Sequence, residues 1–283
     1  MQKIMSLKSS ITSVLTRIYR TLFARRCCWK LNLFLYDLAL RGMGILNYEN
    51  RCVSGEKRFL QDYLRPKSHS IVVDVGANIG EYAKMAIEIQ PTATVYAIEP
   101  HPVTFVKLQQ NADANKFRAF NFACDAHGGQ ITLYDYAEND GSEHASVFKE
   151  AIMEFYHKER VAHVVTSMTL DDFMIQNTIE KIDLLKIDVE GNELNVLKGC
   201  TRAIGEGKIN VIHFEFNEMN ILGRTYFKDF ITALPEYVFF RMLPSGLKPM
   251  REYRPLTHEI FAFQNIVAMR HAMMDEKFRE LIT

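Results

Sequence analysis

Ile71-Val72-Val73-Asp74-Val75-Gly76-Ala77-Asn78-Ile79-Gly80, answered by Tyr96-Ala97-Ile98-Glu99-Pro100, reads as strand, glycine turn, helix and second strand, with a carboxylate closing the second strand. That order builds half of a nucleotide-binding α/β domain. The turn decides which nucleotide. A dinucleotide site wants G-x-G-x-x-G, so that the backbone can approach a pyrophosphate closely. Here Gly76 holds the first glycine position, Asn78 the second and Glu81 the third. Asp74 adds negative charge before the turn. Such a turn repels a pyrophosphate and suits a ligand with a cationic amino group. S-adenosylmethionine has that group and a sulfonium, and carries no phosphate. Glu99 stands 25 residues after Asp74, where a carboxylate can accept hydrogen bonds from both ribose hydroxyls. Asp74, Gly76, Asn78, Gly80 and Glu99 are therefore the expected cofactor contacts. A plainer reading gives Gly76 and Gly80 only a tight turn and close helix–sheet packing.

Working outward, strands and helices alternate. The pattern predicts a helix over 55–64, a strand over 71–75, a helix over 80–90 stopped by Pro91, and a strand over 94–99. Pro102 starts a helix to about Asn115. Strands follow at Phe117–Ala123 and Ile131–Tyr136. Residues 137–162 show no sharp period, with a helix expected over 148–160. A short helix opens at Leu170. Then come strands at 182–189 and 208–216, with a helix at 193–198 between them. A helix at 226–234 precedes closing strands at 237–243 and 260–268. This alternation implies a mainly parallel sheet with helices on both faces, and such sheets bind ligands beyond the carboxyl ends of their strands. Asp74, Glu99, Asp125, Asp188, Glu190, Glu215 and Asn217 all fall at or just after strand ends, and Asp125 joins the expected cofactor contacts on that ground.

The length allows one large domain or two small ones, and 48% hydrophobic with 24% charged residues is ordinary for a globular chain. The net charge is zero, so the whole chain makes no electrostatic case for nucleic acid. The charge is unevenly spread. Residues 1–50 hold eight basic side chains (Lys3, Lys8, Arg17, Arg20, Arg25, Arg26, Lys30, Arg41) and two acidic ones (Asp37, Glu49). Leu7, Ile11, Val14, Leu15, Ile18, Leu22 and Phe23 recur among them at helical spacing. Two readings fit: a helical extension over one edge of the domain, or a basic amphipathic helix on an anionic membrane or a partner. The expected divisions are an extension at 1–50, a catalytic domain at 51–270 and a helical tail at 271–283. The five cysteines are odd in number and lack C-x-x-C spacing, which argues against a disulfide framework or zinc knuckle. No stretch reads as a secretory signal or membrane span. A cytoplasmic enzyme, free or membrane-associated, is expected.

A second constellation lies at Leu184-Leu185-Lys186-Ile187-Asp188-Val189-Glu190-Gly191. A strand puts Lys186, Asp188 and Glu190 on one face. A charged face inside a parallel sheet is costly unless paired or functional. His213, Glu215 and Asn217 alternate in the same way on the next strand. If the two strands are neighbours, Asp188, Glu190, Glu215 and Asn217 converge. Asp188, Glu190 and Glu215 are the candidate catalytic carboxylates. Asp188, Glu215 and Asn217 could alternatively hold Mg²⁺, since oxygen ligands suit that ion and carboxylates also act as bases. In the plain reading Lys186 merely neutralises Asp188, and His213 is a hydrogen-bonded core residue.

These residues resemble those of the FkbM-type S-adenosylmethionine-dependent methyltransferases. The matching pieces are residues 74–80; Glu99-Pro100-His101-Pro102 with Phe105 and Leu108; Thr169-Leu170-Asp171-Asp172-Phe173; Ile182-Asp183 through Gly191, with Glu193; and the segment from His258 to Val267. The resemblance covers about residues 52–270. It implies a class I, Rossmann-like α/β methyltransferase fold with a seven-stranded, mainly parallel sheet. It also implies methyl transfer to a hydroxyl of a small molecule, sugar or glycolipid. Ala83 departs from the family pattern, which often has Thr there. The rivals are a nicotinamide-dependent oxidoreductase, against which Asp74, Asn78 and Glu81 count, and a non-catalytic S-adenosylmethionine-binding protein.

Overall fold

The computed structural model describes residues 2–136, 141–142, 145–149 and 160–281. The chain divides into two units, Met1–Ile45 and Leu46–Thr283, so the break comes slightly before the expected residue 50. The first unit is a helical hairpin of α1 (Gln2–Phe23) and α2 (Trp29–Gly42). Asn32 ties the two together. Its amide donates to the Phe23 carbonyl at 2.9 Å, and its oxygen accepts from the Tyr19 hydroxyl at 2.6 Å. This satisfies a carbonyl that the end of α1 would leave without a partner.

The second unit runs α3 (Glu56–Tyr63), β1 (Ile71–Val75), α4 (Glu81–Ile89), β2 (Thr94–Ile98), α5 (Pro102–Asn115), β3 (Arg118–Phe120), β4 (Ala123–Cys124), β5 (Gly129–Tyr136) and β6 (Arg160–Met168). It continues with α6 (Leu170–Gln176), β7 (Ile182–Ile187), α7 (Glu193–Lys198), α8 (Thr201–Gly205), β8 (Ile209–Phe216), α9 (Met219–Leu222) and α10 (Phe227–Ala233). The closing elements are β9 (Tyr237–Leu243), β10 (Gly246–Pro249), α11 (Pro255–His258), β11 (Gln264–Arg270) and α12 (Glu276–Glu280). The main sheet has the order β3-β2-β1-β7-β8-β11-β9-β10. Strands β3, β2, β1, β7 and β8 are parallel, and β11 runs antiparallel between β8 and β9. The expected seven-stranded α/β sheet is present, extended by β10 at one edge. A second sheet, β4-β6-β5, stands beside it.

Strand β1 is the switch point: the chain leaves it toward β2 on one side and returns to β7 on the other. Alternation gives the sheet two apolar faces. Val73, Val75, Leu185, Ile187, Ile212 and Phe214 pack under α6, α7 and α10. Val72, Leu184, Val211 and Val267 pack under α3, α4 and α5. The tail expected at 271–283 belongs to this second core, where Met274 and Phe278 are buried. Lys277 meets Asp62 at 2.9 Å.

Several boundaries differ from expectation. The strand expected over 117–123 breaks after Phe120, and Ala123–Cys124 joins the smaller sheet, parallel to β6. Strands β6 and β10 were not anticipated. The helix expected over 148–160 falls almost wholly outside the described residues.

Candidate functional site

The carboxyl ends of β1, β2, β7 and β8 open into two adjoining cavities. The smaller, about 60 Å³, is walled by Glu99, Phe122, Cys124, Asn192 and neighbours. The larger, about 690 Å³, is walled by Arg51, Glu56, Asp74, Tyr82, Lys186 and Glu215 among others. Gly76, Asn78, Asp188 and Glu190 line both and form the junction.

Gly76 makes the junction possible. Its φ is +77°, and a Cβ there would lie 1.7 Å from the Asp188 carbonyl oxygen. No side chain fits between the ends of β1 and β7. The Gly76 and Ala77 N–H groups both donate to the Ile98 carbonyl at 2.9 Å, which turns the chain over the end of β2. Asn78 takes a left-handed φ of 49°. Its N–H donates to Glu99 Oε2 at 2.9 Å, and the His101 N–H donates to Glu99 Oε1 at 2.7 Å. Glu99 thus links the glycine turn to the start of α5. Burial, against those two N–H bonds, pushes its pKa up to about 7. A carboxylate has about four lone-pair sites, so Glu99 keeps acceptor capacity toward the smaller cavity.

The larger cavity has an electrostatic floor. Asp74 stands opposite Lys186 in the β1–β7 register, and Lys186 opposite His213 in β7–β8. The polar residues therefore continue the face that is apolar at Val72, Leu184 and Val211. Lys186 Nζ is buried 3.3 Å from Asp188 Oδ2 and 3.7 Å from Glu215 Oε1. Burial alone would lower its pKa, but Asp188 and Glu215 outweigh burial and hold the ammonium charged. Burial drives Glu215 well above the ordinary carboxyl range, with Asp188 adding to the rise. Burial also raises Asp74 to about 7, against the attraction of Lys186. Its Oδ2 has no hydrogen-bond partner. His213 is the core residue that the sequence suggested. One ring nitrogen pairs with the Tyr82 hydroxyl at 3.0 Å and the other with Asn265 Oδ1 at 2.8 Å. Burial lowers its pKa well below the usual histidine value.

Two expected placements differ in detail. Strand β7 ends at Ile187, so alternation does not aim Glu190. That residue reaches the junction through a left-handed turn, φ 51°. Its carbonyl accepts from the Ser146 hydroxyl at 2.8 Å. Asn217 lines the larger cavity, but its Oδ1 accepts the Met219 N–H at 2.9 Å. The residues named for Mg²⁺ make other contacts in this structure. The cation between Asp188 and Glu215 is the Lys186 ammonium, and Asn217 spends its oxygen on the backbone. Among the described residues no cluster of three His, Cys, Asp or Glu is arranged to hold a metal.

Asp125 and Gly80 line neither cavity. Asp125 follows β4 into the smaller sheet and takes the Asn192 amide at 3.3 Å. Gly80 serves packing: a Cβ there would meet Phe117 Cζ at 2.6 Å.

Sequence reasoning overlooked several contributors. Arg51 and Glu56 lie ahead of the glycine turn, Glu56 inside the expected helix and Arg51 before it, and nothing in their spacing marks them. Glu193 was seen only as part of a motif. It is buried. Its Oε1 accepts the Gly191 N–H at 3.0 Å and the Val189 N–H at 3.3 Å, while Oε2 accepts the Asn220 amide at 3.1 Å. It shapes the loop that presents Asp188 and Glu190. A buried acid in the first turn of a helix, following an Asp-Val-Glu-Gly turn, was the available signal.

The family model described as "Methyltransferase FkbM domain" matches residues 74–240, from Asp74 of β1 through Phe240 of β9. The chain belongs to the FkbM methyltransferase family. It is a methyltransferase, and the family's chemistry displaces the nicotinamide alternative. It is similar to 2-O-methyltransferase NoeI of Sinorhizobium fredii, 24% identical over 194 residues that cover 65% of this chain and 79% of NoeI. It is similar to hexuronic acid methyltransferase AglP of Haloferax volcanii, 32% identical over 54% of this chain and 60% of AglP. A third relative is 31-O-demethyl-FK506 methyltransferase FkbM of Streptomyces tacrolimicus, 30% identical over 52% of this chain and 66% of that one. The matched segment thus spans less than two thirds of AglP and of FkbM.

Proposed function

We propose that this chain transfers a methyl group from S-adenosylmethionine to a hydroxyl of a sugar or sugar-bearing small molecule. The observation that carries the reading is the junction of the two cavities. There Asp188 faces both, with Glu215 and Lys186 behind it. The named activities of NoeI and AglP favour a sugar hydroxyl as acceptor. The residues suit the donor. Glu99 has acceptor capacity for a ribose diol. Asp74 Oδ2 is a buried carboxylate oxygen without a partner, which an ammonium would satisfy. The glycine turn carries no basic residue that would call for a phosphate.

Bound there, S-adenosylmethionine supplies an already activated methyl group. The chain must align the hydroxyl and remove its proton. Asp188 sits at the junction, so its carboxylate orients the hydroxyl and accepts that proton. Lys186 holds Asp188 in place and offsets its repulsion with Glu215. Glu215, with its raised pKa, is a site beside it where a proton is readily held. Glu190 completes the acidic wall.

The test is methyl uptake from labelled donor into fractionated glycans, comparing wild type with Asp188→Asn and Glu215→Gln, each with and without chelator. Loss of a general base should lower turnover by about 10²–10⁴-fold while leaving donor affinity intact, and chelator should have no effect. Normal turnover in both variants would make the acidic centre structural. Activity abolished by chelator and restored by Mg²⁺ would favour a metal site over a plain base.

A further inference from the structure

The helical hairpin at 1–45 lies outside the matched family region, and its surface is unlike that of an ordinary soluble extension. On α1, Val14, Leu15, Ile18 and Leu22 form an exposed apolar stripe, and at 100° per residue Arg17 and Arg20 fall on the other side. Helix α2 is more extreme. Leu33, Phe34, Leu35 and Tyr36 are consecutive and all exposed, Phe34 by 58%. Four successive residues turn through most of a circle, so α2 is apolar on all sides but a stripe where, at 100° per residue, Lys30, Asp37 and Arg41 share one face. Trp29, Leu31 and Leu38 add to it, with Trp29 64% exposed. The polar groups of α2 are largely quenched. Asn32 is bonded to α1, and Asp37 accepts from Arg41 Nε at 3.1 Å.

Exposed apolar surface on this scale marks an interaction site. A broad apolar surface beside a narrow polar stripe suits a helix lying in the acyl boundary with that stripe toward the headgroups. Charge points the same way. Asp37 is the first acidic residue of the chain, and Lys3, Lys8, Arg17, Arg20, Arg25, Arg26 and Lys30 precede it. Arg25, Arg26 and Lys30 flank the turn between the helices. At 14 residues, α2 is about 21 Å long, short of the roughly 30 Å hydrocarbon core. No helix among the described residues is long and apolar enough to cross a membrane. Trp29, Tyr19 and Tyr36 are the amphipathic rings favoured at headgroup depth.

We propose that residues 1–45 attach this protein to one leaflet of an anionic lipid bilayer. Helix α2 sits in the acyl boundary, while the basic residues of α1 and the turn lie at the headgroups. The attachment is monotopic and electrostatically selective.

Trp29 is the chain's one tryptophan, so its emission reports on this element alone. Full-length protein is mixed with phosphatidylcholine vesicles with and without phosphatidylglycerol, at low and high salt. The expected result is co-sedimentation with the anionic vesicles, weakened by salt. Trp29 emission should shift to the blue and be quenched by brominated acyl chains. Combining Arg25→Gln, Arg26→Gln and Lys30→Gln should lower partitioning about a hundredfold, at about 1 kcal/mol per basic residue. Phe34→Ser with Leu38→Ser should abolish the blue shift and leave donor binding unchanged. The proposal is overturned if anionic vesicles fail to sediment the protein at low salt, or if Trp29 stays in water when they do. It is equally overturned if neutral vesicles bind as well, or if the blue shift appears without lipid and follows a monomer–dimer equilibrium.

Discussion

Asp74 is buried with one oxygen unbonded, and the cost of that burial is visible in its raised pKa. Glu99 is raised likewise, though two backbone N–H groups hold it. Both pKa values lie near 7, so each carboxyl is partly protonated in the free protein at neutral pH. A donor ammonium beside Asp74, or ribose hydroxyls on Glu99, favours the ionised form and lowers the pKa. Donor binding at about pH 6.5 should therefore release protons, and affinity should rise as pH climbs through about 7 and then level off. Calorimetry in buffers of different ionisation enthalpy measures the release. Asp74→Asn should reduce it, and a buffer-independent enthalpy in the wild type would refute the linkage. Glu99→Ala removes a charged acceptor, and such bonds contribute about 1.5–3 kcal/mol. Donor affinity should fall by about ten- to a hundredfold, and an unchanged titration would remove Glu99 from the site. The places of Asp74, Asn78, Glu99 and Asp188 along the cavities were legible in the sequence because each is set by a strand end and its adjoining turn. Arg51 and Glu56 were not, because only packing of a preceding segment against the sheet brings them to the cavity. Asp125 follows β4 into the smaller sheet, so the alternation of the central sheet does not fix its place, and it meets the smaller cavity through Asn192.

Among the elements, the junction of β1 and β7 depends on the absence of a side chain at residue 76. Gly76→Ala forces a Cβ against the Asp188 carbonyl in a left-handed conformation, so either the backbone moves or the pairing of the strand ends is lost. Left-handed strain alone costs about 1–3 kcal/mol, and the clash adds to it. Chemical denaturation should show at least that loss, together with weakened donor binding. Gly80→Ala should cost less, because the atoms it meets belong to the side chains of Phe117 and Leu108. A Gly76→Ala protein of wild-type stability would contradict the geometry. The core strands β1, β2, β7, β8 and β9 were readable from short apolar runs bounded by turn residues. Strand β6 was hidden because one of its faces is open, and Val164 projects outward at 68% exposure, blurring the apolar–polar alternation. Strand β10 was hidden because Gly246 and Pro249 read as loop residues, which an edge strand tolerates.

At the scale of the whole molecule, every described residue lining the two cavities lies at or after Leu46. A protein beginning at Leu46 should therefore bind the donor with an affinity within about twofold of the full chain, as expected for changes remote from a site. Isothermal titration of the two proteins checks this. A loss of tenfold or more would mean that the first unit supports the site. The zero net charge conceals this arrangement, because an excess of basic residues in the first unit cancels an acidic remainder.

The sequence by itself determined the alternating α/β architecture, the cofactor turn and the family, because each rests on local order: apolar period, glycine position and a carboxylate at a strand end. Tertiary structure alone decided which groups meet in the acidic centre. Asp188 and Glu215 lie far apart in the chain, and only the pairing of β7 with β8 puts Lys186 between them. The Lys186 ammonium then lies within ion-pair distance of both carboxylates. The apolar, basic hairpin was likewise legible as a pattern of residues. Its standing exposed followed only from the fold, since burial is a property of what packs against a residue and not of the residue itself.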